Sequence, residues 1–355
     1  MFTFGLMINS GSQRKVTASG QPAKAYSEVV AQAQWAEDHG FAGVWVGEGR
    51  LAQSAVVPMT LIAASTSRIK IGSGILPYRT RNAALLAVTF KTLDDLAPGR
   101  IRMGLGPWWE PLATRTGLAN RKPLLAMREV ITVCKELLGG NLVSYSGEFV
   151  RVEDIRFDGP DDDDGRSYPV PIYIGAVRMG MVQLSGEIAD GVLLDFLVPP
   201  SYNREAMDAV RRGAAISGRS LDDFEVPQLV AASADDHDPA SAVDDCRAFL
   251  TQYIAQQPHI TETCGADPEL IDAIKAELAW PATKAQVRHT MRLVPDSLVH
   301  SVCACGTSTQ ALDKIAEWVD AGCTEPAITS LSPDPLTTLE ALAKAANLTA
   351  TGAPA

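Results

Sequence analysis

Several apolar runs in this chain end in residues able to do chemistry. Glu48 closes the run AGVWVG at 42–47, and a carboxyl at the edge of a dry wall suits proton transfer. A surface ion pair with Arg50 fits the same residues equally well. Gly106-Pro107-Trp108-Trp109-Glu110 follows another run; two adjacent tryptophans can wall a planar ring, or one of them can serve as ordinary rim packing. Gly104-x-Gly106 lacks the third glycine of the dinucleotide fingerprint and is no Rossmann motif. Gly175-Ala176-Val177-Arg178 follows PIYI where a strand turns into a helix. The first amides of such a helix have no partner and can seat a phosphate, and Arg178 in the first turn opposes the helix dipole unless an anion compensates. Close packing alone would explain Gly175 and Ala176 equally well. Tyr78-Arg79-Thr80-Arg81 offers two cations to an acidic ligand, or to local carboxylates. The five histidines form no i, i+4 pair, and only Cys303 and Cys305 stand close together, so no metal site is expected.

Something must bring these strand ends together. Short apolar runs alternate with amphipathic stretches: strands at 2–9, 42–47, 69–76, 100–105, 171–175, 191–196, 225–232 and 325–330, with helices at 26–39, 58–67, 83–96, 123–138, one ending at 189, 203–217, 307–321 and 336–346 between and after them, and two more at 268–278 and about 282–293. Residues 142–164 read as a small strand excursion ending in the solvated acidic loop DGPDDDDG. Eight strands with intervening helices predict an α/β fold, a (β/α)8 TIM barrel with insertions, with a doubly wound sheet as the runner-up. The division expected is one barrel domain over 1–346, an insertion at about 258–305, and a flexible tail at 347–355.

Composition narrows the function classes. The 355 residues are 46% hydrophobic and 21% charged, the balance of a globular chain rather than a disordered one. A net charge of -11 argues against nucleic acid as a partner. No apolar run approaches a membrane span, and MFTFGLMINSGSQRK has no signal-peptide n-region, so a cytoplasmic location is expected. The six cysteines are scattered and are expected as reduced thiols.

Together, FGLMI at 4–8, AQWAEDHGFAGVWVGE at 33–48, IGSGILP at 71–77, TLDDLAPGRIRMGLGPWW at 92–109 and PIYIGAVRMGMVQLSGEIADGVLL at 171–194 resemble the luciferase-like monooxygenase superfamily, in particular its deazaflavin (coenzyme F-420)-dependent branch, which includes methylenetetrahydromethanopterin reductase. GTSTQALDKIAEWVDAGCTEPAI at 306–328 resembles the family's last segment. The resemblance implies a (β/α)8 barrel holding a flavin-like ring at the carboxyl ends of its strands. It implies hydride transfer to or from a small organic substrate, as in methylenetetrahydromethanopterin reductases or ketoreductases. The alternative is an FMN-dependent monooxygenase, which would need a flavin reductase as partner. A homodimer is the assembly the family implies.

By the same resemblance the cofactor lies against Asn9, Ser73, Gly74, Ile75, Gly106, Trp108, Gly175, Ala176, Val177 and Arg178, with its phosphate near Gly175 and Ala176. A bulged third strand with a non-proline cis peptide, Gly74–Ile75 by position, would put Ile75 behind the ring. Glu48, Trp109 and Glu110 are the catalytic candidates. Several deazaflavin enzymes have Asp-His where this chain has Glu48-Gly49, so the family's histidine is missing at that point. The deazaflavin's acidic tail calls for cations, and Arg50, Arg79, Arg81 and Arg178 are the candidates.

Overall fold

The computed structural model describes residues 3–8, 25–49, 51, 54–110, 112–118, 121–158, 165–279 and 281–348. Eight parallel strands close on themselves: β1 (Gly5–Ile8), β2 (Gly43–Val46), β3 (Lys70–Ser73), β4 (Ile101–Gly106), β5 (Ile172–Ala176), β6 (Gly191–Leu194), β7 (Pro227–Ala234) and β8 (Glu325–Ser330). Each pairs with the next, β6 reaches β7 through Leu194 and Gln228, and β8 returns to β1. That last pairing rules out the doubly wound sheet. The helices α1 (Ala25–Asp38), α2 (Val56–Ser65), α3 (Ala83–Leu96), α4 (Pro123–Leu138), α5 (Met179–Ile188), α6 (Pro200–Ser217), α7 (Ser308–Asp320) and α8 (Pro335–Ala345) surround it. Local chemistry starts them: Asn82 accepts the Leu85 amide ahead of α3, and Thr307 with Gln310 forms a capping box on α7. The helix expected at 203–217 starts three residues earlier, because Pro200 has the fixed φ and missing N–H that suit a first turn.

Two excursions leave the barrel. The hairpin Val143–Ser146 with Arg151–Ile155 lies against α4, whose Glu129 accepts the backbone N–H groups of Glu148 (2.9 Å), Phe149 (2.7 Å) and Val150 (2.9 Å). Between β7 and α7 the chain builds helices Pro239–Gln256, Pro258–Thr261, Pro268–Glu277, Lys284–Thr290 and Asp296–Val302, then a short strand Ala304–Gly306 that extends the sheet beside β7. The acidic loop expected at 158–165 and the end of the tail fall mostly outside the described residues. No helix among the described residues is long and apolar enough to cross a membrane.

Parallel strands covered on both faces are apolar throughout, and the period of two sorts their side chains into two cores. Leu6, Ile8, Val44, Val46, Ile71 and Met103 face the helices. Met7, Trp45, Tyr173, Leu193, Leu229 and Ala327 fill the barrel, and the same interior cluster runs on through Phe196 to Leu250, Ile254 and Ile260 of the inserted helices. The amino end is sealed by charge. Arg102 pairs with Glu325 at 2.6 Å and Glu225 at 3.4 Å, while Trp45 Nε1 donates to Glu325 and the Tyr173 hydroxyl to Glu225. Burial opposes the charge on Glu225, but Arg102, Tyr173 and Lys70 outweigh it and hold the carboxyl below its ordinary range.

The strand expected at 69–76 breaks after Ser73 and resumes at Leu76–Pro77. Gly72 pairs with Arg102 and Leu76 with Leu105, so three residues (73, 74 and 75) oppose two (103 and 104), a one-residue bulge. The Gly74–Ile75 peptide is cis, at the position the resemblance implied.

Candidate functional site at the carboxyl mouth of the barrel

The bulge turns Ile75 toward its neighbours across the mouth. A Cβ built on Gly175 would lie 2.3 Å from Ile75 Cγ2, and one on Gly106 would lie 2.7 Å from Ile75 Cγ1. Both glycines are therefore the floor on which the Ile75 side chain rests. The close-packing reading holds for Gly175, and its bare face is taken by isoleucine. Ile75 stays half-buried against the interior cluster, leaving an apolar surface at the mouth. Ser73 is completely buried. Its hydroxyl donates to Gly104 O (2.7 Å) and accepts Gly104 N–H (3.0 Å), patching the ladder where the bulge interrupts it. Ser73 thus supports the bulge from below. Ala176 is buried, and Val177 accepts a hydrogen bond from the Tyr202 hydroxyl through its carbonyl. Asn9 and Arg50 lie outside the described residues.

Beyond the bulge, a cavity of about 420 Å³ opens between Tyr78–Ala83, α4 and the hairpin. Arg79, Arg81 and Arg151 line it together with Phe149, and no carboxylate does. Arg79 lies 4.8 Å from the Phe149 ring centroid and donates through Nε to the Tyr78 hydroxyl at 3.0 Å. In a chain with net charge -11, an arginine-lined cavity is a local reversal of sign.

The expected proton handlers are already engaged. Glu48 accepts from Arg81 at 3.0 and 3.3 Å, using both oxygens, and from the Ala55 amide at 2.8 Å. Its ion-pair partner is Arg81, 33 residues away, which short-range sequence reading could not single out. Glu110 accepts the Thr114 amide (3.2 Å) and hydroxyl (2.8 Å), tying down the short helix Leu112–Arg115. Both carboxylates carry positioning contacts in this geometry. Arg178 is paired as well. The anion that compensates it is Glu262 of the inserted segment, at 2.8 and 3.1 Å, and that hydrogen-bonded pairing holds the Glu262 carboxyl below its usual range. The Trp109 indole donates to Gln256 O at 3.2 Å, joining the β4 end to the same inserted segment.

A pair absent from the sequence reading completes the mouth. Asp195 follows the last residue of β6, and His259 from helix Pro258–Thr261 places Nε2 3.4 Å from its Oδ2. Asp195 could have been found by examining the residue after every apolar run, but nothing local marks His259. No group of three His, Cys, Asp or Glu side chains among the described residues is arranged to hold a metal ion.

A closed parallel barrel with a bulged third strand is a (β/α)8 barrel, the fold whose sites gather at the carboxyl ends of the strands. The chain belongs to the luciferase-like monooxygenase family, whose pattern it matches over residues 2–325. It is 28% identical to 5,10-methylenetetrahydromethanopterin reductase of Methanolobus tindarius over 306 residues, 86% of this chain and 90% of that protein. It is 31% identical over 291 residues to an F-420-dependent glucose-6-phosphate dehydrogenase of Nakamurella multipartita, 78% of this chain and 82% of that one. Among solved structures, the coenzyme F-420-dependent tetrahydromethanopterin reductase from Methanopyrus kandleri superposes with a TM-score of 0.82 at 25% identity, covering 98% of this chain and 99% of its own.

Proposed function

We propose that this chain is a deazaflavin (coenzyme F-420)-dependent oxidoreductase that moves a hydride to or from a small organic substrate. The observation that carries the reading is the Ile75 shelf: a one-residue bulge sets an apolar side chain over two glycines whose Cβ positions it fills. A planar ring fits such a surface, and Trp108 and Trp109, just past the end of β4, would flank it. The Nakamurella glucose-6-phosphate dehydrogenase and the Methanopyrus reductase, both F-420-dependent, support the deazaflavin over FMN.

When bound, the deazaflavin supplies the two-electron hydride chemistry. The protein's own residues do the rest. Gly106 and Gly175 let Ile75 sit where it supports one ring face, and Ser73 anchors the bulge beneath it. Arg79, Arg81 and Arg151 give the cavity beside the bulge the positive lining an acidic tail requires, with Glu48 holding Arg81 in place. The amides at the start of α5, just after Ala176 and Val177, would seat the cofactor's phosphate. The exposed Leu85, Val88 and Leu96 along α3 support a homodimer, tested by light scattering.

Fluorescence titration of the purified protein with oxidised deazaflavin and with FMN, side by side, tests the reading. Tighter binding of the deazaflavin is expected. Binding of FMN alone, with oxygen uptake when reduced FMN is supplied, would overturn it in favour of a monooxygenase.

A further inference from the structure

We propose that Glu262 of the inserted segment is a charge gate on the cofactor's phosphate. It neutralises Arg178 beside the start of α5, and so denies the seat any preference for the more highly charged phosphate of FMN. The inference rests on the deazaflavin reading above and adds to it a residue that separates the two cofactors.

Arg178 is the last residue before α5. Its backbone is extended, and its carbonyl accepts the amides of Met181 (2.9 Å) and Val182 (3.2 Å). Its side chain makes no cap bond to the helix and crosses instead to Glu262, which follows the helix Pro258–Thr261. Nε donates to Oε2 at 3.1 Å and Nη2 to Oε1 at 2.8 Å, so both carboxylate oxygens are taken by one guanidinium edge. The inserted segment has other holds at this point. Ile260 is completely buried, the Cys264 amide reaches Ile260 O at 2.9 Å, and the Trp109 indole donates to Gln256 O. The paired side chains themselves are 72% and 49% exposed for Arg178 and Glu262. An ion pair this wet contributes little to stability, and its arginine can change partners without a desolvation cost.

The guanidinium fork fits two oxygens of a phosphate as well as two of a carboxylate. A phosphate at the start of α5 also meets the helix's first amides, which have no partner within the helix, and the positive end of its dipole. It therefore displaces Glu262 from Arg178. The segment stays seated, so the displaced carboxylate remains close by, and a glutamate is ionised at neutral pH with or without its arginine. Arg178 alone would attract the phosphate in proportion to its charge; Arg178 with Glu262 is a neutral pair, and that bias cancels. The phosphate of the deazaflavin is a diester with one negative charge. That of FMN is a monoester carrying about -1.5 to -2 at neutral pH, and it gains more from a lone arginine. Glu262 thus removes an advantage that FMN would otherwise have.

The test titrates wild type, E262Q and R178Q by fluorescence with three oxidised ligands: the deazaflavin, FMN, and the ribityl form of the deazaflavin that lacks the phosphate. In E262Q the phosphate-free form should bind within about twofold of wild type. The deazaflavin should bind about two- to fivefold tighter, and FMN should gain by a larger factor than the deazaflavin. Added KCl should shrink both gains, as screening of exposed charges requires. R178Q should weaken the two phosphate-bearing ligands and leave the phosphate-free form unchanged. The assignment is overturned if E262Q binds the phosphate-bearing ligands as wild type does or more weakly, if all three ligands gain alike, or if FMN gains no more than the deazaflavin. Unchanged binding of both phosphate-bearing ligands by R178Q overturns it as well. A wild-type protein that binds none of the three ligands, or FMN alone, overturns the deazaflavin reading and this inference with it.

Discussion

Gly175→Ala isolates the packing on which the mouth depends. The new methyl would stand 2.3 Å from Ile75 Cγ2, whereas carbon atoms in contact sit about 3.5–4.0 Å apart, so one partner must move by more than about 1 Å. Neither moves easily: residue 175 is part of β5, paired with Leu193, and an isoleucine is stiff at χ1. Overpacking of this kind costs about 1–3 kcal/mol. If Ile75 supports the cofactor ring, a displacement in the middle of that range weakens binding by roughly 30-fold, at tenfold per 1.4 kcal/mol. Urea unfolding and fluorescence titration with oxidised deazaflavin read the two effects separately. Ile75→Ala removes the atom that is struck, so in the double variant the stability losses should fall short of their sum by about 1 kcal/mol or more. A Gly175→Ala protein as stable as wild type, with unchanged cofactor affinity, would refute the packing argument and the ring position together.

Other consequences are open to direct measurement. Glu325→Gln removes the close anionic partner of buried Arg102; with Glu225 still 3.4 Å away the loss should lie near the low end of the 3–5 kcal/mol typical of broken buried pairs, about 3 kcal/mol by chemical denaturation. Glu129 is held below the usual carboxylate range, since three hairpin amides outweigh the burial that opposes its charge. Its stabilisation is thus complete above the unfolded value of about 4.3 and is lost as pH falls through the lower folded value; Glu129→Gln should flatten the acid limb of the stability profile and cost about 1.5–3 kcal/mol at neutral pH. Glu48→Gln should lower the unfolding midpoint while leaving single-turnover hydride transfer within a few-fold of wild type, and a large loss of rate at unchanged stability would return Glu48 to the chemistry.

The barrel was legible because its cause is local. Continuous apolar runs such as GVWV and GVLL announce strands buried on both faces, and the caps at Asn82 and Thr307 mark where helices start. Closure was beyond local pattern, since the β8–β1 pairing joins residues more than 300 positions apart. The mouth was legible in part for the same reason. Strand ends flagged Glu48, Trp109 and Gly175 as its residues, but their tasks are decided by partners far along the chain. Arg81 claims Glu48, Gln256 receives Trp109, and Ile75 covers Gly175. His259 had no flag at all, because the inserted helices are short and their periodicity says nothing about where they dock.

What docks them is the barrel's own interior. The cluster that begins with Met7 and Trp45 between the strands continues through Leu193, Phe196 and Leu197 to Leu250, Ile254 and Ile260, so the inserted segment is an upward extension of one apolar column. Phe196 packs edge-on against Phe249 and Tyr253 at 5.2 and 5.1 Å, next to Asp195 in sequence. A side chain mounted on that column is set with the precision of the strands themselves. The charged seal of Arg102, Glu225 and Glu325 at the opposite end gives the column a fixed base. Loosening the aromatic joint, for example by Phe196→Ala, should therefore disturb how the inserted segment sits on the mouth while sparing the Ile75 shelf, lowering the single-turnover rate far more than the cofactor affinity. Equal losses in both would mean that the mouth moves as one body, and that the inserted segment has no separate hold on the turnover step.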